Sequence, residues 1–387
     1  MHLHTDLSRI TCFIDETALT ALDTVLQTLE IPEVHMQRAK QVALVDRAGF
    51  WHIRPRTFPE ESRAMFYRIY VPRCFVQGIM RRIAEATDLY LPGYGSIYAR
   101  EVKVLRKHKM TFNEPLLTQI CGKAETVNKE NYDVLTCIVQ RGMSAAISSA
   151  ILEMGLSVPV ISYAEGMGGR DQMGLLRITV PVEKEIMFFL IPRIDAEFLK
   201  NIIIRKARLD MPGRGFLYQF HVTAQAVNLR CRYGHRTSAA TMEQVITALD
   251  QLRGSSEWRR LGVTEDKKKR VIENVREEIS CFAMIMDDGQ AAPYVEKALF
   301  LGAGGATRMP LYSRSYKPDL KNIFTSSAKE LCNMIMPNVL CEKVLKDLKQ
   351  TDFFRRPDSG IVEIASVHEA VTYTGKGRFA PAKGTNN

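Results

Sequence analysis

Hydrophobic positions along the chain change period in an order that recurs. From Ser8 the run SRITCFID alternates, with Ile10, Cys12 and Ile14 on one side, as a half-buried strand does. Leu19, Leu22, Val25 and Leu26 then follow at helical spacing, which gives one helix face an apolar stripe. A second strand is predicted over VHMQRAKQVAL. After a polar loop a third, FYRIYVPRCF, ends at Pro72, whose missing N–H suits a strand exit and a helix start. A second helix leads to LPGYGSIY at 91 to 98, where the turn opens a fourth strand, SIYAREVKV.

The same order returns twice. DVLTCIVQ, a helix carrying Ile147, Ala150, Ile151 and Met154, PVISYAE and MFFLIPRIDAEF lead through a helix with Phe198, Ile202, Ile203 and Ala207 to MPGRGFLYQF. EISCFAMI, a helix with Tyr294, Ala298 and Leu299, TRMPLYS and LCNMIMPNVLCE lead to RRPDSGIVEI. Pro72, Pro192 and Pro337 each stand 20 residues before the proline of the turn that follows. Cys12, Cys137 and Cys281 precede the same marker by 60, 55 and 56 residues, so they are expected at one equivalent strand position. Each unit reads as βαββαβ, the ferredoxin-like α+β arrangement of a four-stranded antiparallel sheet with two helices on one face. The units are drawn at 5–108, 131–235 and 276–376, with a linker over 109–130, a helical linker over 236–275 that includes DKKKRVIENVREE, and a disordered tail over 377–387.

Composition narrows the function classes. The chain has 387 residues, 46% hydrophobic and 25% charged, and no run reaches the 18 or so apolar residues of a membrane helix. No signal peptide is read at the N-terminus, which makes the cytoplasm the expected compartment. The eight cysteines stand singly, without metal-ligand spacing, and read as small core residues. No set of nucleophile, base and orienting group emerges, so an enzyme is not expected. The net charge of +10 suits anionic partners. Nucleic acid is argued against, because sheets that face one another leave no exposed platform for bases.

The glycine-bearing SYAEGMGGRDQMG (162 to 174), ARLDMPGRGFLYQF and AVNLRCRYG resemble the T-loop start, B-loop and arginine-bearing terminal strand of the nitrogen-regulatory P-II and P-II-like proteins, and ASVHEAVTYTGK resembles that strand again. The resemblance spans about 300 residues as three units and rests on order and spacing. It implies an intrachain pseudo-trimer whose inter-unit clefts bind an adenine nucleotide (ATP, ADP or AMP) or another small anionic effector. It also implies a signal-transduction regulator acting on a protein target, a transporter, enzyme or regulator, with no required cofactor.

The effector residues implied are Gly93, Gly95 and Arg100 in the first unit, and Gly166, Gly168, Arg170, Gln172, Gly213, Arg214, Gly215, Arg230 and Arg232 in the second. Ser359 and Gly360 belong to the third. The family's lysine after the second glycine is replaced by Ser96, Phe216 and Ile361, which leaves a plain tight turn as a second reading. In RAGFWHIRPRTFPEES, Trp51, Arg54, Arg56 and Phe58 combine the residue types of protein interfaces. The alternative function is a non-binding adaptor whose scaffold presents such loops to a partner.

Overall fold

A computed structural model describes residues 1–47, 56–91, 94–123, 131–168, 182–227, 232–234, 248–252, 254, 272–275, 278–317, 327–355 and 360–373. The chain passes three times through one order of elements. The first passage runs β1 (His2–Asp15), α1 (Leu19–Thr28), β2 (Val34–Arg47), β3 (Arg56–Pro72), α2 (Val76–Ala86) and β4 (Gly95–Arg106). A helix, α3 (Glu114–Cys121), precedes the second, which runs β5 (Tyr132–Gln140), α4 (Ser144–Glu153), β6 (Val160–Met167), β7 (Glu183–Pro192), α5 (Ala196–Ala207) and β8 (Gly215–His221). Three short strands follow, β9 (Ala224–Val227), β10 (Arg232–Gly234) and β11 (Ile272–Val275). The third passage runs β12 (Ile279–Asp287), α6 (Ala291–Phe300), β13 (Ala306–Arg314), β14 (Ser327–Pro337), α7 (Asn338–Leu348) and β15 (Ile361–Val367), and β16 (Glu369–Tyr373) ends the described chain.

Within each passage all pairings are antiparallel and the first strand lies between the third and the fourth. The orders are β4-β1-β3-β2, β8-β5-β7-β6 and β15-β12-β14-β13. Pro72, Pro192 and Pro337 close the third strands with φ of −61°, −56° and −58°, the angle the pyrrolidine ring imposes, and a helical turn starts at the next residue.

The strand edges exchange partners. β2, β6 and β13 each pair with the other two, so the second strands close a triangle. β9, which follows the second passage, pairs with β4 of the first, and β16, which follows the third, pairs with β8 of the second. The far end of β4 pairs Lys103 to Leu105 with Ile364 to Val362 of β15. Among the described residues all sixteen strands therefore join one hydrogen-bonded sheet.

Each passage buries its helices against its own sheet. Leu22, Leu26 and Ile79 pack on Ile10, Cys12 and Ile14 in the first; Ile151, Leu199 and Ile203 on Leu135, Cys137 and Val139 in the second; Val295, Val344 and Leu348 on Phe282, Met284 and Met286 in the third. The opposite faces of all three meet in one central core, where Phe13, Phe66 and Phe188 stack with ring centroids 4.8 to 5.3 Å apart. Burying such a ring contributes about 2 to 3 kcal/mol, so this core couples the passages.

Several expectations need correction. Leu7, Tyr132 and Ile279 face the three marker prolines in register; Cys12 and Cys137 lie five residues beyond their reference residue, but Cys281 lies two beyond its own. Cys281 thus faces the central core while Cys12 and Cys137 face the helices, and Met284 holds their place. Phe198 is partly exposed; Leu199, Ile203 and Ala207, with the aliphatic stem of Lys200, form the buried stripe of α5. The segment DKKKRVIENVREE, read as a helix, contains β11, because Ile272 and Val275 are β-favouring residues beside the open edge of β16. The linker 109–130 holds α3, capped by Asn113, and its Leu117 is buried in the core beneath α2. The fourth strands of the second and third passages break, at Val222–Thr223 and at His368, so that the chain can cross to its neighbour. The tail 377–387 lies outside the described residues.

Candidate ligand cleft

The second glycine of the repeated turn has a local cause. A Cβ on Gly95 would sit 1.9 Å from the carbonyl oxygen of Phe13, and one on Gly215 would sit 2.4 Å from that of Ile138, so the turn can lie against the first strand only without a side chain. Gly213 has a φ of 71°, and its carbonyl accepts a hydrogen bond from Gln140 Nε2 at 3.1 Å. In the third passage the same constraint comes from a side chain, for a Cβ on Gly360 would meet the Phe353 ring at 2.3 Å.

Each turn is met by the chain of another passage. Val227 of β9 stands opposite Ser96, and Thr372 of β16 stands opposite Phe216. At the third turn Lys107 Nζ donates to the Arg355 carbonyl at 2.8 Å. The turn at 211 to 215 therefore forms one wall of a boundary whose other wall belongs to the third passage.

Gly166 and Gly168 also meet the third passage, at the β6 edge of the second sheet, opposite the β8 edge. Gly166 pairs with Thr307, and a Cβ on Gly168, whose φ is 80°, would stand 2.2 Å from Leu299 at the end of α6. Beside them a cavity of about 290 Å³ is lined by Arg141, Tyr163, Glu165, Lys184, Arg308 and Pro310. Arg308 is already engaged with three carboxylates: it donates to Glu330, to Glu165 at 3.0 Å and to Asp288 at 3.1 Å, one bond from each nitrogen. Burial would lower its pKa, but those carboxylates outweigh burial and raise it. A phosphate at Arg308 would meet three carboxylates of its own sign. Arg214 is half-buried in the turn; its backbone N–H donates to the Met211 carbonyl, and its guanidinium makes no hydrogen bond or ion pair among the described residues, which leaves its charge free for an anion.

The expected basic set divides. Arg214 lies two residues before Phe216, which pairs with Thr372 after the third passage, whereas Arg232 lies in β10, paired in parallel with Leu44 of β2 in the first. The strands that carry or follow the two arginines pair with different passages because the terminal strand leaves its own sheet before reaching Arg232. Arg100 is 4% exposed on the central face, with its Nη2 on the Ser366 carbonyl at 2.6 Å, far from the turn it was grouped with. Arg56 and Phe58 begin β3, and Arg56 pairs with Arg47. Gly93, Arg170, Gln172, Arg230, Ser359, Trp51 and Arg54 lie outside the described residues. Sequence reasoning missed Gln140, Thr372 and Arg308, whose roles depend on which strands pair across passages.

One further juxtaposition has the residue types of a hydrolase. Ser313 Oγ lies 2.7 Å from His35 Nδ1, and His35 Nε2 lies 3.6 Å from Glu33 Oε1. Ser313 and His35 are completely buried, so the hydroxyl cannot meet a substrate. Burial pushes the imidazole down to about 4. Among the described residues no group of His, Cys, Asp and Glu is placed to hold a metal ion, and no helix is long and apolar enough to cross a membrane.

No family model matches the chain, and no curated protein matches it. Among solved structures, B. subtilis GlnK is similar at 11% identity over 26% of this chain and 89% of that one, with a TM-score of 0.22. The B. subtilis GlnK–ATP complex is similar at 10% identity over 27% of this chain and 90% of that one, with the same TM-score of 0.22.

Proposed function

We propose that the chain is a P-II-like regulator in which three ferredoxin-like units pack as an intrachain pseudo-trimer. It binds an adenine nucleotide or another small anionic effector between units and controls a protein target through its loops; it carries out no chemistry. The observation that carries this reading is the exchange of terminal strands, which sets the turn Met211 to Gly215 against β16 of the next unit. A ligand held there touches two units at once, so its affinity depends on how they sit and on the order of the loop that starts at Gly168. Arg214 supplies the charge, whereas the N–H groups of Met211 and Arg214 already donate to the Arg208 and Met211 carbonyls and Pro212 has none. The other boundaries differ in residue content, which supports unequal sites within one chain.

An adaptor without a ligand is the second reading, favoured by Ser96, Phe216 and Ile361 where the family has its lysine and by the three carboxylates that already hold Arg308. Thermal unfolding of the purified chain with ATP, ADP, AMP, cyclic AMP, 2-oxoglutarate and bicarbonate separates the two. A ligand at a hundred times its dissociation constant stabilises by about 2.7 kcal/mol, and Arg214→Ala is expected to remove that shift. No shift with any of the six leaves the adaptor.

A further inference from the structure

The central core of this chain contains charge that its own residues do not balance. Arg9, Arg68 and Arg100, on β1, β3 and β4, are 4%, 3% and 4% exposed, and all lie on the face that meets the other two passages. Arg9 and Arg100 stand directly opposite each other across the β1–β4 pair, and Arg68 stands opposite Thr11, two residues from Arg9. Like charges so placed repel. One carboxylate answers them: Glu363 of β15, fully buried, which takes Arg9 on one oxygen and the Tyr70 hydroxyl on the other at 2.8 Å.

Both oxygens of Glu363 are therefore engaged, while two guanidiniums lack an acidic partner. Arg100 has the Ser366 carbonyl and lies 3.9 Å from the centroid of the Phe220 ring. The Arg68 side chain makes no hydrogen bond among the described residues, its Nε is buried and unpartnered, and its guanidinium lies 5.0 Å from the Phe66 ring. Burial first, then the charge of Arg9, lowers both pKa values, that of Arg100 to about 10. A guanidinium still does not shed its proton at neutral pH, and an unpaired buried charge is strongly unfavourable.

The arrangement is confined to one passage. At the positions equivalent to Arg9, Arg68 and Arg100, counted from the marker prolines and across the first strand, the second passage carries Val134, Phe188 and Phe220, and the third carries Cys281, Asn333 and Ala365. Asn333 Oδ1 is likewise buried without a partner. Three planar donors, with five N–H groups each, suit an ion bearing several oxygens better than a single-atom halide.

We propose that the chain holds one small inorganic oxyanion, of the phosphate or sulfate class, in its interior among Arg9, Arg68 and Arg100. This site is separate from the inter-unit turn and does not depend on the nucleotide reading. Enclosed by three sheets, the ion exchanges slowly and joins the passages as a structural element.

The test uses the full chain dialysed into chloride at fixed ionic strength. After denaturation, ion chromatography is expected to find about one phosphate or sulfate released per chain. Chains refolded in chloride alone should melt roughly 2 to 5 °C higher when phosphate or sulfate replaces chloride at equal ionic strength. Arg68→Met is expected to abolish both signals. Arg214→Ala, aimed at the turn, keeps them, so failure here and failure of the nucleotide reading are distinguishable. Absence of released oxyanion from the wild type together with a melting temperature indifferent to the anion overturns the proposal, as does an equal response in Arg68→Met. If that variant does not fold, the wild-type release measurement decides alone. A response to chloride matching that to phosphate overturns the oxyanion class.

Discussion

Ser313 and His35 join their side chains at 2.7 Å across 278 residues of chain, and the same two residues are backbone partners where β13 meets β2. This bond ties the third passage to the first, and burial holds the imidazole neutral. Charged groups surround it: Glu33 favours protonation, whereas Arg68, Arg106 and Lys329 oppose it. Its folded pKa of about 4 lies below the ordinary 6.5, so as pH falls the unfolded chain takes up the proton first. Stability from this group is full above about pH 6.5 and is lost between there and pH 4, by about 3 kcal/mol. Urea unfolding at pH 7 and 4.5 should show the loss in the wild type and less of it in His35→Gln.

Glycines at the turn and elsewhere should respond differently to alanine. Gly215→Ala drives a methyl to 2.4 Å from the Ile138 carbonyl oxygen, and the backbone must shift to admit it. A loss of about 2 to 4 kcal/mol is expected. Gly304 meets nothing within 4 Å of an added Cβ, so Gly304→Ala should stay within about 0.5 kcal/mol of wild type. Chemical denaturation of the two variants side by side measures the contrast.

Lys200 of α5 is 1% exposed and reaches Glu369 of β16 at 2.6 Å, again between passages. Lys200→Met leaves that carboxylate buried without its main cation and should cost about 3 to 5 kcal/mol. In the double variant Lys200→Met with Glu369→Gln the buried negative charge is gone, and much of the loss should return. Equal destabilisation of single and double variants would contradict an electrostatic cause.

Thiol reactivity should divide by burial. Desolvation raises the pKa of Cys12, Cys137, Cys281, Cys332 and Cys341, all buried. Cys74 and Cys121 are partly exposed. Limited iodoacetamide labelling followed by peptide mass spectrometry should find the latter pair modified in native protein and the five others only after unfolding.

The alternation of Ile10, Cys12 and Ile14 and the marker prolines were readable because each reports a local constraint: the pleat of a strand, or a fixed φ. The same alternation assigns Arg9, Thr11 and Phe13 to the other side, which in an isolated sheet would face water. The aromatic company of those arginines, Phe13, Phe66, Tyr70 and Tyr98, was the signal that this side is buried too. Which strands pair across passages was not readable, since the choice is made by edges left open after each sheet forms. For that reason Arg214 and Arg232, 18 residues apart in the chain, are grouped in one site by sequence, although the strands that carry or follow them pair with different passages. The charged run before β11 hid its strand for the same reason: only the edge of β16 makes it one.

The placement of β16 on β8 orders events during synthesis. Residues 369 to 372 complete the edge of a sheet whose own strands lie between Tyr132 and His221, so the second passage waits for well over a hundred further residues before its last pairing can form. β4 waits in the same way for β15. On the ribosome both edges stay open to other chains, and translation speed over the third passage sets how long that exposure lasts.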